Sequence, residues 1–179
     1  MRLYEKTLDS QSVFEGRVVK LDYDKVELEN GKEATREVVK HPGGVCIAAI
    51  TEDDELLFVK QYRYPYHKVV LELPAGKLED EGNPLGNGIR ELREETGAIA
   101  KSYVSLGELY PSPGYSDEVI YMYFCKVEEF LEMNPDDDEF LEVIKIPISD
   151  AVEMVMQNLI KDAKSQVAIL KTAKLLGKI

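Results

Sequence analysis

Between Gly76 and Ala98 the chain gathers acids in a pattern with chemical consequences, for Arg90-Glu91-Leu92-Arg93-Glu94-Glu95 stands near the end of a stretch with helical start and stop signals. At 3.6 residues per turn Glu91, Glu94 and Glu95 share one helix face. Like charges at i,i+4 destabilise an isolated helix by about 0.2–0.5 kcal/mol per pair, so this face calls for a cation among its carboxylates. Magnesium suits them: a hard divalent ion takes oxygen donors and completes its shell with waters or substrate phosphate oxygens. The acids also lie toward the helix C-terminus, where the macrodipole disfavours negative charge, which weakens a purely structural explanation. The competing reading of the string is a solvated amphipathic helix, with Arg90 and Glu94 as an ordinary surface pair.

Such a face has to be carried by a defined helix. Asn83 as N-cap with Pro84 at the first helical position, and Gly97 as the C-terminal stop, predict a helix over 84–96. Ahead of it, Val45 to Ile50 and Leu56 to Tyr62 read as buried strands around an acidic turn, and Val69 to Leu73 as another. Behind it, Val119 to Val127 and Phe140 to Ile146 are further strands, and helices begin near Ser149 and near Asp162, with Asp150 and Glu153 at capping-box spacing. From Val13 to Val39 short β-type runs flank Asn30-Gly31, a strong hairpin signal, and give a three-stranded antiparallel sheet. So small a sheet must pack on the rest of the chain or on a second subunit. His41-Pro42-Gly43-Gly44 breaks the pattern and divides an N-terminal sheet, 1–42, from a main domain, 43–179. The outline is α+β, with mixed strands and three helices.

The 179 residues, 44% of them hydrophobic, provide for one real core and a small appended element. A net charge of −12 argues against a nucleic-acid partner, because affinity for the phosphate backbone comes from Lys and Arg. No signal peptide or membrane-length apolar run is present, so a soluble, cytoplasmic protein without a membrane partner is expected. Cys46 and Cys125 each sit in an apolar stretch and read as reduced core residues.

Gly76, followed at the family spacing by Arg90-Glu91-Leu92, Glu94-Glu95, Gly97 and Ala98, resembles the Nudix box. The resemblance implies a Nudix fold, a mixed sheet packed between helices, and a metal site built from Glu91, Glu95 and the carbonyl of Ala75 in the loop Leu73-Pro74-Ala75-Gly76. Glu94 would support the same cluster and Arg90 would be mainly structural. Magnesium is the implied cofactor, with manganese as the alternative ion. Two departures stand out. Gly82 occupies the position of a Glu that partners the box arginine in the family, with Glu81 one position early, and Gly86-Asn87-Gly88 replaces good helix formers at about 1 kcal/mol per Gly.

Similarity to the ADP-ribose pyrophosphatase branch extends over nearly the whole chain: Glu15-Gly16-Arg17-Val18-Val19, Arg36-Glu37-Val38-Val39, Gln61-Tyr62-Arg63, Leu71-Glu72-Leu73 and Pro111-Ser112-Pro113-Gly114. It implies hydrolysis of the pyrophosphate of ADP-ribose to AMP and ribose 5-phosphate. It also implies substrate contacts from Arg36, Arg63, Glu72 and Pro113, and a homodimer through the N-terminal sheet. Guanidinium forks suit phosphate oxygens. Either arginine alone also suits a surface ion pair, and the two prolines with Gly114 also suit a rigid turn. Tyr62, Tyr64 or Phe14 would stack on adenine, or serve as core and rim. For the group that takes the proton from the attacking water, the resemblance points to the acidic loop that leads into Phe140-Leu141-Glu142-Val143, with Glu139 first and Glu142 second, a stretch that also suits a solvated loop. Another nucleoside diphosphate substrate, such as a nucleotide sugar or a dinucleotide, and a catalytically weakened binding module are the competing functions.

Overall fold

The computed structural model describes residues 3–79, 82–135 and 139–179. The chain forms two compact units, Met1–Gly43 with Tyr110–Val119, and Gly44–Leu109 with Ile120–Ile179. The acidic run Asp136-Asp137-Asp138 and Glu81 lie outside the described residues.

The first unit is an antiparallel sheet of β1 (Lys6–Glu15), β2 (Lys20–Glu27) and β3 (Glu33–Lys40), in that order. The β2–β3 hairpin turns at Asn30-Gly31, where Gly31 takes φ +77° and its N–H donates to Leu28 O at 2.9 Å. β1 begins well before Val13, where β-type patterning starts in the sequence. All its residues are exposed, so its side chains carry no alternation between a buried and a solvated face. Residues 110–119 join this unit through backbone bonds, Val39 N–H to Tyr115 O at 2.7 Å and Asp117 N–H to Val39 O at 3.2 Å. An ion pair between Lys40 and Asp117 at 3.0 Å adds to them. These contacts place 110–119 with the N-terminal sheet, whereas the sequence division at 42/43 leaves the segment with the main domain.

The second unit contains β4 (Gly44–Ile50), β5 (Glu55–Arg63), β6 (Lys68–Glu72), β7 (Ala75–Lys77), α1 (Pro84–Thr96), β8 (Ala98–Ile99), β9 (Tyr103–Leu109), β10 (Ile120–Lys126), β11 (Glu129–Phe130), β12 (Leu141–Pro147), α2 (Ile148–Met156) and α3 (Ala163–Leu175). Its sheet runs β12-β5-β4-β10-β9, with β6 on β5 and β7 on β4. The pairing of β4 with β10 is parallel and its other pairings are antiparallel, so the sheet is mixed.

Central β4 is buried throughout, and its period-two alternation feeds two cores. Val45, Ile47 and Ala49 pack with Leu92 of α1, while Cys46, Ala48 and Ile50 pack with Ala151, Val152, Ala168 and Ile169 of α2 and α3. The sheet is thus enclosed between α1 and the α2–α3 pair. Cys46 and Cys125 are buried and unpaired, one in each core, and burial pushes the Cys125 thiol up to about 12.

One strand goes unread in the sequence and one local expectation is corrected. β9 has no counterpart in the sequence reading, because a bulge between the Met122–Gly107 and Tyr123–Ser105 pairs breaks its alternation. The spacing of Asp150 and Glu153 makes no capping box, since α2 starts at Ile148 with Pro147 at the N-cap and no side-chain cap. Asp150 instead falls inside the first turn, where the helix dipole favours it.

Candidate active site

Helix α1 has the bounds that its caps dictate. Asn83 Oδ1 accepts from Gly86 N at 3.0 Å, and Gly97 adopts φ +71° and donates to Arg93 O at 2.8 Å. A Cβ on Gly97 would also stand 2.2 Å from Leu131 O, so both backbone conformation and space require glycine there. The unusual Gly86-Asn87-Gly88 stretch has tertiary causes. A Cβ on Gly88 would lie 2.7 Å from Ile47 Cδ1 and 2.8 Å from Val45 Cγ2, so glycine lets α1 approach β4 closely. Asn87 accepts from Glu79 N at 3.0 Å and donates to Asn83 O at 2.9 Å, tying the preceding loop to the helix.

The inner face of α1 presents Glu91, 9% exposed, and Glu95, 2% exposed, toward the loop before β7. Ala75 N–H donates to Glu95 Oε2 at 3.1 Å. Gly76 leaves room for Glu91: a Cβ there would stand 2.1 Å from the Glu91 carboxyl carbon. Burial raises the Glu95 pKa to about 8; the Ala75 hydrogen bond opposes the rise, and the charges of Glu91 and Glu139 add to it. Glu91 is raised chiefly by burial as well, against the pull of Arg90 and with the push of Glu139 and Glu94. Glu139 therefore lies within electrostatic reach of both buried acids. Glu142 pairs instead with Lys60 across the β12–β5 ladder at 3.1 Å, with its side chain largely exposed.

Arg90 is the cation of the outer part of the cluster. It donates to Glu94 at 2.5 Å and to Glu91 at 2.8 Å, and meets Glu79 at 3.4 Å. Glu79 thus serves the arginine in a chain with Gly82 at the family's glutamate position. Glu95 keeps no cationic hydrogen-bond partner among the described residues.

Apart from this cluster, Glu72 at the end of β6 is 2% exposed and accepts from Arg63 Nε at 2.6 Å and Nη2 at 2.9 Å. Lys164 Nζ adds a third bond at 2.5 Å. Burial alone would raise the Glu72 pKa, and the bonds and charges of Arg63 and Lys164 overcome that and lower it. Burial disfavours the charged Lys164, yet Asp162 and Glu72 together hold its pKa above the ordinary value. Lys164 carries no mark in the sequence; a lone Lys in the first turn of an amphipathic helix gives no signal of its own.

In the first unit Arg36 is bound by Glu5, with Nε to Oε2 at 2.9 Å and Nη2 to Oε1, and Nη1 donates to Thr35 O at 2.8 Å. Pro113 is exposed in a turn closed by Tyr115 N–H and Ser116 N–H on Ser112 O, the rigid turn that its neighbours also suit.

The donor set fits a divalent ion. Glu91 and Glu95 are buried carboxylates that repel one another and supply hard oxygen donors in need of positive charge, while the Ala75 N–H is bonded to Glu95. Among the described residues no group of three acidic, His or Cys side chains stands together so as to hold a metal ion, so an ion at Glu91 and Glu95 would take the rest of its shell from backbone oxygen, waters or substrate phosphate.

The NUDIX domain pattern matches residues 40–168. The chain belongs to the Nudix family. A second pattern, the nucleoside diphosphate sugar hydrolase N-terminal domain, matches residues 5–39 and so covers the sheet of β1 to β3. Nudix relatives of this kind generally use a divalent metal ion. The ADP-ribose pyrophosphatase of Bacillus subtilis (strain 168) is 40% identical over 93% of this chain and 91% of its own. The methanol dehydrogenase activator of Bacillus methanolicus is also 40% identical, over 92% and 90%. The crystal structure of an ADP compounds hydrolase shares the fold, with a TM-score of 0.80 at 20% identity over 97% of this chain and 95% of that one. In the described residues no helix is long and apolar enough to cross a membrane.

Proposed function

We propose that this Nudix protein hydrolyses the pyrophosphate of ADP-ribose to AMP and ribose 5-phosphate, with magnesium held by Glu91, Glu95 and the Ala75 carbonyl. The observation that carries the reaction class is the pair of acids Glu91 and Glu95, buried on the inner face of α1 against the Ala75-Gly76 backbone, with the charge of Glu139 acting on both. The 40% identity to an ADP-ribose pyrophosphatase along 93% of the chain supports the substrate.

Breaking a pyrophosphate requires neutralised phosphate charge, an aligned water and an acceptor for its proton. The ion supplies charge neutralisation and a site for water when bound. Glu139 is the acceptor we favour, because its charge is coupled to both buried acids, while Glu142 is committed to Lys60. Arg63 meets substrate phosphate through its remaining guanidinium edge, since Nε and Nη2 are spent on Glu72. Glu72 thereby orients the guanidinium. Glu94 supports the cluster indirectly, by holding Arg90 against it.

The N-terminal sheet supports a homodimer. Val26 is the one buried hydrophobic residue among described positions 3–43, while Leu8, Val13, Phe14 and Tyr23 stay exposed, so a partner surface would complete its packing. The resemblance alone supports substrate contacts from Arg36 and Pro113 in that assembly, and Arg36 would have to exchange its bonds to Glu5 for substrate oxygens. The reduced, buried cysteines agree with action in the cytoplasm.

A second reading, action on a nucleotide sugar or a dinucleotide, is supported by the match of residues 5–39 to a nucleoside diphosphate sugar hydrolase domain. Chromatography of products from ADP-ribose, a nucleotide sugar and a dinucleotide, with and without magnesium, separates the two. AMP and ribose 5-phosphate formed fastest from ADP-ribose, and only with the ion, is the expected result. Preferred cleavage of either competitor transfers the assignment to it, and sedimentation of the same sample as a monomer would remove the dimer.

A further inference from the structure

The loop that carries Ala75 is gripped from both helical layers. From the α1 side Glu95 accepts the Ala75 N–H at 3.1 Å. From the α3 side Ser165 Oγ accepts the Leu73 N–H at 2.8 Å, a bond between residues 92 positions apart. Ser165 is fully buried, and its hydroxyl donates to Asp162 Oδ2 at 2.6 Å. The other oxygen of Asp162 accepts from Lys164 Nζ at 2.9 Å, and Lys164 reaches Glu72 at 2.5 Å. Glu72 holds Arg63 in a two-point pair.

Two lines therefore leave one N-cap residue. A neutral line runs from Asp162 through Ser165 to the backbone of Leu73, two residues before Ala75. A charged line runs from Asp162 through Lys164 and Glu72 to Arg63. Helix capping accounts only for the bond from Ser165 N–H to Asp162 at 3.0 Å. Stability alone is a poor reason for the charged line, since buried ion pairs replaced by apolar groups of similar volume often leave a fold as stable or more so.

We propose that Ser165 and Lys164 are positioning residues with separate targets: Ser165 sets the loop that presents the Ala75 carbonyl, and Lys164 sets the Glu72–Arg63 pair that faces substrate phosphate. The inference rests on the metal and substrate reading above. Neither residue touches ion or substrate. Partners hydrogen-bonded to a metal ligand change metal affinity or activity by about 10- to 100-fold when removed, and Ser165 and Lys164 act one link further out, so the lower end of that range applies.

The test uses Mn2+ as a paramagnetic probe, titrated into the full-length protein without substrate and followed by the signal of the free ion. Steady-state kcat and KM for ADP-ribose at saturating ion, and thermal unfolding, complete it. Ser165→Ala is expected to weaken Mn2+ binding about tenfold while leaving KM nearly unchanged once the ion saturates. Lys164→Met is expected to raise KM about tenfold with little change in Mn2+ affinity, and Lys164→Arg to restore it in part. If Lys164→Met does not fold, Ser165→Ala and Lys164→Arg decide. Unchanged constants in folded variants, or equal losses of ion affinity and KM that follow the loss of thermal stability, would overturn the proposal. An unmodified protein that binds Mn2+ but leaves ADP-ribose intact would remove the substrate reading and the role of Lys164 toward it, with the Ser165 arm still deciding the loop. An unmodified protein that binds no Mn2+ would overturn the metal site and the clamp together.

Discussion

Glu95 makes an unusual demand on the metal-free protein, and Glu95→Gln exposes it. The carboxyl is 2% exposed and its pKa is raised from 4.5 to about 8, first by burial and then by Glu91 and Glu139. Because the folded pKa lies above the unfolded one, the folded protein retains a proton across this window that the unfolded chain has released. Stability is therefore fully present below pH 4.5 and falls as pH rises toward 8. At pH 7 the loss from this group is about 3 kcal/mol, from about 1.4 kcal/mol per pH unit between 4.5 and 7. Glutamine keeps the acceptor for Ala75 N–H and removes the charge. Its buried NH2 costs about 1 kcal/mol if unpaired, leaving a net gain of about 2 kcal/mol, or roughly 4–8 °C in Tm for a domain of this size.

The assay is thermal and urea unfolding with EDTA at pH 5 and pH 7, repeated with saturating magnesium. In EDTA at pH 7 the variant should be the more stable protein, and at pH 5 the difference should shrink. With magnesium the order should reverse, since binding to the native state alone stabilises by mass action and the variant lacks a ligand. A Glu95→Gln protein that is less stable than its parent in EDTA at pH 7, or a parent whose stability is flat between pH 5 and 7, would refute the reasoning.

Gly76→Ala should reduce metal affinity and activity by about 10- to 100-fold, because the new methyl takes the space of the Glu91 carboxyl; a metal titration checks it. Gly88→Ala should cost about 1–3 kcal/mol by overpacking against Ile47 and Val45, despite a helix-propensity gain of about 1 kcal/mol, as read in urea unfolding. Glu139→Gln should lower kcat by about 10²- to 10⁴-fold while Glu142→Gln stays near the parent rate, a contrast that steady-state kinetics at saturating magnesium resolves.

The residues of α1 declare themselves locally. Asn83, Pro84 and Gly97 act on backbone groups within four positions, so the helix bounds and the shared face of Glu91 and Glu95 are readable from the chain alone. The same holds for the Asn30-Gly31 hairpin and for the buried alternation of β4, whose apolar residues need no partner to be recognised. Distant pairing is another matter. Gly88 looks like a helix defect until Val45 and Ile47 are placed against it, and Glu79 gives no sign that it will meet Arg90. Residue chemistry alone does not separate Glu139 from Glu142, and only the family resemblance ranks Glu139 first; strand register pairs Glu142 with Lys60, while the charge of Glu139 acts on the buried pair. Lys164 and Ser165 acquire their partners, Glu72 and Leu73, only when α3 docks on the sheet. Short-range hydrogen bonds and side-chain periodicity are fixed by the order of residues, whereas contacts between residues far apart in the chain depend on which faces pack, and that is decided by the tertiary structure as a whole.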